Sequence, residues 1–317
     1  MNELAFIVIL LSSLFTISAL LIWVERRLLG HWQERYGPNR VGPGGIFQSA
    51  ADAVKLLAKE DWIPPFADKP VFILAPAVVV STVLMSFAVV PFTSSLVVAD
   101  LNIGLLFVFA LSSLSAYSLV LAGWASNSKY ALIGGLRGSA QMFSYEVFMG
   151  LSVMGVVMLA GSFRLRDIVE AQQDVWFCIP QMIGGGIFFI AALAETHRLP
   201  FDIPEAEAEL VAGYHTEYSG MKFGMFFLGE YLGIVLMSSL IVILFLGGWQ
   251  GPWLPPLVWF WLKTIMVIMV FFLVRATLPR PRFDQLIRFG WMVMLPASLF
   301  NLLVTAAVIL TNRHDAL

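Results

Sequence analysis

GMFFLGEYLGIVLMSSLIVILFLG, residues 224–247, holds one charged side chain, Glu230, in 24 positions. As a helix rising 1.5 Å per residue it would reach about 36 Å, enough to cross a hydrocarbon core of about 30 Å. Seven more runs of this kind fall at 4–24, 71–91, 101–123, 139–160, 178–195, 257–276 and 290–311. The run 178–195 carries a glycine triplet at 184–186. Glycine lowers helix propensity but is common in membrane helices, where it permits close packing. No window alternates with period two in the manner of an outer-membrane barrel. The expected fold is therefore all-α: a single integral membrane domain over 1–317, a polytopic bundle of eight transmembrane helices.

The first run is expected to stay in the bundle, because Asn2 and Glu3 precede it and WVERR follows it where a cleaved signal would have small residues. With alternating crossings, one side receives 25–70, 124–138, 196–223 and 277–289. Together with Arg275 these hold 15 of the 19 Lys and Arg. The positive-inside rule places those long loops in the cytoplasm and both termini outside.

Between the first two runs lies IFQSAADAVKLLAKEDW. Ile46, Ala50, Val54 and Leu57 share one helical face there, while Gln48, Asp52, Lys55 and Lys59 fall elsewhere. The segment 46–59 is too short to span. It reads as an amphipathic helix lying on the membrane surface or docked against the bundle. Just before it, residues 25–45 combine Arg26, Arg27, Arg35 and Arg40 with Pro38, Pro43 and, beyond Arg35, four glycines (37, 42, 44, 45). That density of turn residues fixes a shaped surface rather than a simple positive anchor.

A lone cysteine, Cys178, excludes an internal disulfide and a thiolate-held cluster carried by this chain alone. His31, His197, His215 and His314 have no metal-ligand spacing, and neither a P-loop nor GxGxxG is present. No metal site is expected.

Charge is nonetheless placed where lipid should be. Glu146, Glu230 and Lys263 sit inside apolar runs. A charge at a helix centre costs about 2.5–3.5 kcal/mol on insertion scales, so such residues face protein or water. A proton relay or a structural pair such as Glu230 with Lys263 would each explain them.

Six carboxylates gather in ETHRLPFDIPEAEAELVAGYHTEYSG, 195–220: Glu195, Asp202, Glu205, Glu207, Glu209 and Glu217. Asp202-Ile203-Pro204-Glu205 fits an N-cap, a first-turn proline and an acidic N3 residue. Glu205 and Glu209 would then share a face, where like charges repel. Partly buried acids of this kind share protons over a wide pH range. An exposed acidic loop that binds a basic partner would carry the same residues.

Four blocks make the likeness specific: VERRLLGHWQERYGPNRVGPGGIFQSAADAVKLLAKED, SYEVFMGLSVMG, RLPFDIPEAEAELVAGYHTEYSGMKFG and RATLPRPRFDQLIRFGW. In order, over about 20–311, they resemble the H-subunit family of bacterial respiratory complex I, the counterpart of mitochondrial subunit one. FNLLVTAAVIL near the end is similar to the proteobacterial branch.

The resemblance implies a membrane subunit of NADH:quinone oxidoreductase that forms the quinone access path, walls part of the quinone chamber and couples quinone reduction to proton translocation. It implies that Arg26, Arg27, Arg35, Asp52, Asp202 and Glu205 border the chamber and its approach. Glu146, Glu207, Glu209, Glu217 and Glu230 would be the proton-coupling acids. Arg275, Arg280, Arg282 and Arg288 would face the peripheral arm. This chain would bind no redox cofactor alone: quinone, expected to be ubiquinone, would be the substrate, with FMN and iron–sulfur clusters in partner subunits. The implied partners are peripheral quinone-chamber subunits, small membrane subunits leading to antiporter-like ones, and lipid, with no nucleic acid. The implied location is the bacterial inner membrane. His197 stands where many relatives are expected to have Asn, which leaves its role open. A homologous subunit of a membrane-bound hydrogenase would share this architecture. A freestanding transporter is disfavoured by the lack of a repeated motif between the halves.

Overall fold

The computed structural model describes residues 3–205 and 207–314, with the side chains of Glu3, Glu207, Ala208 and 312–314 outside that description. The described residues form helices and no strands. In chain order these are α1 (Glu3–Trp32), α2 (Gln48–Ala58), α3 (Lys69–Ser86), α4 (Gly104–Ala125), α5 (Lys129–Ala160) and α6 (Leu165–Glu170). Then come α7 (Met182–Glu195), α8 (Glu207–Leu210), α9 (Gly220–Phe245), α10 (Pro256–Thr277), α11 (Phe283–Phe289) and α12 (Leu295–His314). A π-helical turn at Gly290–Met294 joins the last two.

Among the described residues, seven helices are long and apolar enough to cross a membrane: α1, α3, α4, α5, α9, α10 and the joined α11–α12. The eighth expected run, 178–195, is the 14-residue α7. At 1.5 Å per residue it is about 21 Å long, short of a bilayer core. Gln181 starts it with a non-helical backbone.

α9 lies at the centre, packed against α1, α3, α7 and α10. In its most apolar window 78% of residues are buried, against 22% for α1. The apolar surfaces left outward on α1, α10 and α12, such as Val8, Met266 and Leu303, are those a bilayer or membrane partners would cover.

The helix expected from residue 139 begins ten positions earlier, at Lys129. Residues 124–138 are expected as a connection, yet α5 continues through 129–138, and its glycines let the helix pack closely here. A Cβ on Gly135 would lie 2.5 Å from the Leu119 carbonyl oxygen, and one on Gly123 equally close to that of Ala131. Small residues thus bring α4 and α5 into backbone contact.

The amphipathic segment is helical over Gln48–Ala58, after a tight turn at Pro43–Gly45. Its polar side faces inward. Asp52 meets Arg26 of α1 at 2.8 Å, and the Ser49 hydroxyl donates to the Ala19 carbonyl at 2.7 Å. Val54 and Leu57, 65% and 67% exposed, point away from the bundle. That is the orientation of a helix whose apolar side is solvated by lipid.

Candidate functional site

Glu25, one residue before Arg26 near the end of α1, is 1% exposed. A carboxylate so buried is costly unless paired and hydrogen-bonded. Arg198, in the loop after α7, places Nη1 3.1 Å from Glu25 Oε1. The Tyr231 hydroxyl donates to Glu25 Oε2 at 2.8 Å, and Arg275 of α10 also contacts Glu25. The same Arg198 sets Nε 2.6 Å from Glu230 Oε1 and its guanidinium carbon 4.4 Å from the Tyr231 ring centroid. One arginine therefore links α1 to α9. Glu230 pairs with Arg198, not with Lys263.

Lys263 serves a different end of α9. Its ammonium donates to the carbonyls of Leu246 (2.6 Å), Gly248 (3.2 Å) and Gln250 (2.6 Å). It also lies 4.2 Å from the Trp176 ring centroid. These carbonyls lie at and beyond the α9 C-terminus, where a cation is favoured.

The loop acids separate into distinct environments. Asp202 is not a helix cap, because α8 begins only at Glu207. The intervening chain is held elsewhere: Gln141 of α5 donates to the carbonyls of Ala194 and Phe201 at 2.7 and 2.9 Å. Gly213 closes against it from the other side. With φ at +58°, it lies so near that a Cβ would fall 1.7 Å from the Pro204 carbonyl oxygen. Asp202 is consequently drawn inward, and its Oδ1 has no protein hydrogen-bond partner. Burial pushes its carboxyl up to about 8, with Glu205 adding to the rise and Arg280 and Arg198 opposing it. Glu205 Oε1 lies 3.8 Å from His215 Nδ1.

Glu209 turns outward instead, 2.7 Å from Arg137 and about half exposed, so the shared face with Glu205 does not form. Glu217 is partly buried and forms no ion pair among the described residues. The side chain of Glu207 lies outside the described residues.

Two acids lie deeper. Glu195, the last residue of α7, is 8% exposed and accepts the Ser112 hydroxyl at 2.7 Å, while its Oε2 has no protein partner. Glu146 of α5 accepts the Ser113 hydroxyl at 2.5 Å and lies close enough to Glu195 for their charges to interact.

The basic residues also divide. Arg26 pairs with Asp52, and Arg27 donates to the Gly44 carbonyl at 2.9 Å, which holds the glycine turn against α1. Arg35 is exposed beside two surface cavities of about 260 and 410 Å³. Arg275 contacts Glu25, whereas Arg280 keeps Nε and Nη2 buried without a protein partner and lies close enough to Asp202 for their charges to interact. Arg282, 3.5 Å from Asp284, and Arg288 remain on the surface.

Two cavities meet this cluster. The larger, about 520 Å³, lies among α1, α2 and α9. Its wall mixes apolar side chains such as Leu29, Phe227 and Leu228 with Glu25, Arg26, Asp52 and Arg275. The smaller, about 60 Å³, is bordered by Glu195, His197, Glu205 and Glu230 together with hydroxyls of α3 and α4. Asp202 is absent from both walls. Sequence reasoning assigned no site role to Glu25, Arg198 or Glu195. The signal in reach was that each adjoins an apolar run, where an ionisable side chain needs a partner. Among the described residues no group of three or more His, Cys, Asp or Glu is arranged to hold a metal ion.

A helical membrane protein with an ionisable cluster between an amphiphile-sized cavity and a smaller buried one is the class these features define. Within that class, the family model described as NADH dehydrogenase matches residues 4–306, and the chain belongs to this family. It is 63% identical over 305 residues to the H subunit of NADH-quinone oxidoreductase from Methylococcus capsulatus, covering 96% of each chain.

Proposed function

We propose that this chain is a membrane subunit of an inner-membrane, proton-translocating NADH:quinone oxidoreductase, and that it admits quinone and couples its reduction to proton movement. Family membership and the 63% identity to the Methylococcus protein support the first part. They favour this reading over a hydrogenase relative or a freestanding transporter. NADH oxidation, FMN and iron–sulfur clusters belong to partner subunits in this reading. Peripheral and small membrane subunits dock on the loop face and on the outward helices.

One observation carries the second part. Glu25 and Arg275 line the 520 Å³ cavity, Arg198 joins Glu25 to Glu230, and Glu230 shares the 60 Å³ cavity with Glu205 and Glu195. A charge change at the larger cavity is thus in contact, group by group, with acids deep in the bundle. The larger cavity suits an amphiphile, having apolar walls for a tail and Arg26 and Asp52 for a polar head. Its volume falls within the usual ligand range of about 300–1,000 Å³. Arg27 and Arg35 shape the adjoining surface, Glu207, Glu209 and Glu217 lie along the loop, and Glu146 continues the path past Glu195. Arg280 tunes Asp202, which leaves Arg282 and Arg288 for the peripheral arm.

The topology proposed is eight crossings with α7 as the short one and both termini outside. The amide of Cys178, just before α7, donates to the Phe245 carbonyl at the far end of α9. The residues following α7 reach Glu25 near the end of α1, so α7 runs between opposite ends of the bundle. Reporter fusions near Ser219 and after α12 should mark opposite sides.

Function is tested by filling the larger cavity with Leu228→Trp in the assembled complex. Oxidation of NADH by a long-tailed quinone should fall at least tenfold, while a water-soluble electron acceptor is reduced at the normal rate. Unchanged quinone turnover rejects the proposed access path.

A further inference from the structure

Away from the ionisable cluster, α4 turns into α5 through residues 126–128 alone. Asn127 takes a left-handed backbone there, φ +47°, which Asn adopts more readily than most residues. The backbone amide of Asp68, just before α3, donates to the Ala125 carbonyl at 3.0 Å. That bond satisfies one of the carbonyls that a helix end leaves open, and it holds the chain before α3 beside the turn. Between the two segments lies a surface pocket of about 290 Å³, lined in part by Phe66, Asp68, Trp124, Asn127, Ser128 and Lys129.

Two opposite charges share this wall without meeting. Asp68 and Lys129 form no ion pair among the described residues, with each other or with any other group. Asp68 and Ser128 stand at the N-cap positions of α3 and α5, yet neither side chain bonds to the helix that follows. A carboxylate, an ammonium and a hydroxyl are thus all open to a ligand. An anion alone would be repelled by Asp68 and a cation alone by Lys129, so the wall fits a group that carries both signs. Phe66 and Trp124 are exposed around it, as is Tyr130 one residue beyond Lys129. Exposed aromatic rings near the ends of spanning helices mark the level of lipid headgroups. Apolar surface continues from the pocket. Leu114, Tyr117 and Trp124 share an outward face of α4, while Leu132, Leu136 and Phe143 share one of α5, and all six are exposed. The rings of Tyr117 and Phe143 meet edge to face, 5.8 Å between centroids, so the two faces form one strip leading into the apolar spans.

We propose that this pocket seats the headgroup of a phospholipid bearing both a phosphate and a primary ammonium, with its acyl chains along the strip between α4 and α5. Lys129 and Ser128 hold the phosphate, and Asp68 accepts hydrogen bonds from the ammonium. Leu132, Leu136, Tyr117 and Phe143 pack against the chains. One headgroup thereby ties the chain before α3 to the start of α5. The site needs only that α4 and α5 cross the bilayer, so it stands apart from the coupling role proposed above.

The test uses the whole complex in lipid nanodiscs that contain either phosphatidylethanolamine or phosphatidylglycerol with the same photoreactive acyl chain. Labelled segments are located by peptide mass. The ethanolamine lipid should label 114–143 up to about fivefold more than the glycerol lipid, the worth of one exposed charge pair. Labelling of α10 should not discriminate between them. Lys129→Gln should lower labelling of 114–143 by both lipids, and Asp68→Asn should abolish the preference while leaving the glycerol lipid's labelling intact. Both side chains are exposed and unpaired, so the variants should assemble. If either does not, competition by unlabelled lipid of each kind in the unaltered complex decides, and only the ethanolamine lipid should displace the label. Equal labelling by the two lipids, unmoved by either substitution, would mean ordinary bilayer contact and overturn the site. A preference for the glycerol lipid would overturn the paired-charge reading. Labelling of α10 with none at 114–143 would mean that a partner subunit covers the strip, and would overturn the proposal as well.

Discussion

Replacing Arg198 with Met keeps the length of the side chain and removes the one charge that bridges Glu25 and Glu230. The two ion pairs measure 3.1 and 2.6 Å, and the side chains of Arg198, Glu25 and Glu230 are 5%, 1% and 15% exposed. Removing one partner of a buried pair costs about 3–5 kcal/mol, since a charge is left without compensation. An alternative response sets a ceiling. Glu25 retains Arg275 and the Tyr231 hydroxyl, so Glu230 is the acid left bare. Protonating an ordinary glutamate at pH 7 costs about 2.7 pKa units, or about 3.7 kcal/mol at 1.36 kcal/mol per unit. The expected loss is therefore about 3–4 kcal/mol. At roughly 2 °C per kcal/mol for a large domain, the melting midpoint of the detergent-solubilised complex, followed through this subunit, should fall by about 6–8 °C. Adding Glu230→Gln removes the stranded charge and should restore about half of that fall, which a double-mutant cycle measures as coupling. A midpoint within 1 °C of normal in Arg198→Met, or no rescue by Glu230→Gln, refutes the bridging role.

Three other outcomes follow from local geometry. The Asp202 carboxyl is raised to about 8, so the folded loop holds a proton that the unfolded chain releases near the ordinary aspartate value. Its contribution to loop stability is full below that ordinary value and declines as pH rises through about 8. Amide exchange over 196–219 should thus be faster at pH 9 than at pH 6 after correction for intrinsic rates, and Asp202→Asn should flatten the difference. Gly213→Ala meets the Pro204 carbonyl and a φ of +58°, so the loop must shift. Limited proteolysis there should become at least several-fold faster, and wild-type resistance would count against the packing described. Lys263→Met leaves three carbonyls at the end of α9 without their donor. At about 1–3 kcal/mol for each unsatisfied group, a clear drop in melting midpoint is expected, and an unchanged midpoint would count against this role of Lys263.

The helices that mattered most for the fold were legible because apolar length alone demands them, as in 224–247. The start of α5 was not legible from apolar length, because what carries the helix back to Lys129 is close packing on α4, seen at Gly123 and Gly135. The acidic loop was recognisable as unusual, but its internal sorting was not. A capping pattern at Asp202 is a short-range signal, and it lost to longer-range contacts from Gln141 and Gly213. Glu230 and Lys263, each in an apolar run, made a plausible pair by composition. Their true partners, Arg198 and three carbonyls, come from a loop and a helix end that no periodicity connects to them.

The cluster's charge balance bears on how it could respond to quinone chemistry. Four carboxyls, Glu25, Asp202, Glu205 and Glu230, face three guanidiniums, Arg198, Arg275 and Arg280. Fully ionised, the set would carry one net negative charge in a largely buried region, which low polarity penalises. One proton among the four carboxyls restores neutrality. Asp202 is suited to hold it at neutral pH, since burial and Glu205 outweigh the pull of Arg280 and Arg198. Because the acids interact, that proton belongs to the group rather than to one residue. A negative charge appearing beside Glu25 or Arg275 would draw the guanidiniums toward itself and weaken their hold on Glu230. The shared proton would then be favoured deeper in the chain, next to the cavity that leads to Glu195. The coupling proposed for this cluster would need no large motion, only an arginine shared between two acids.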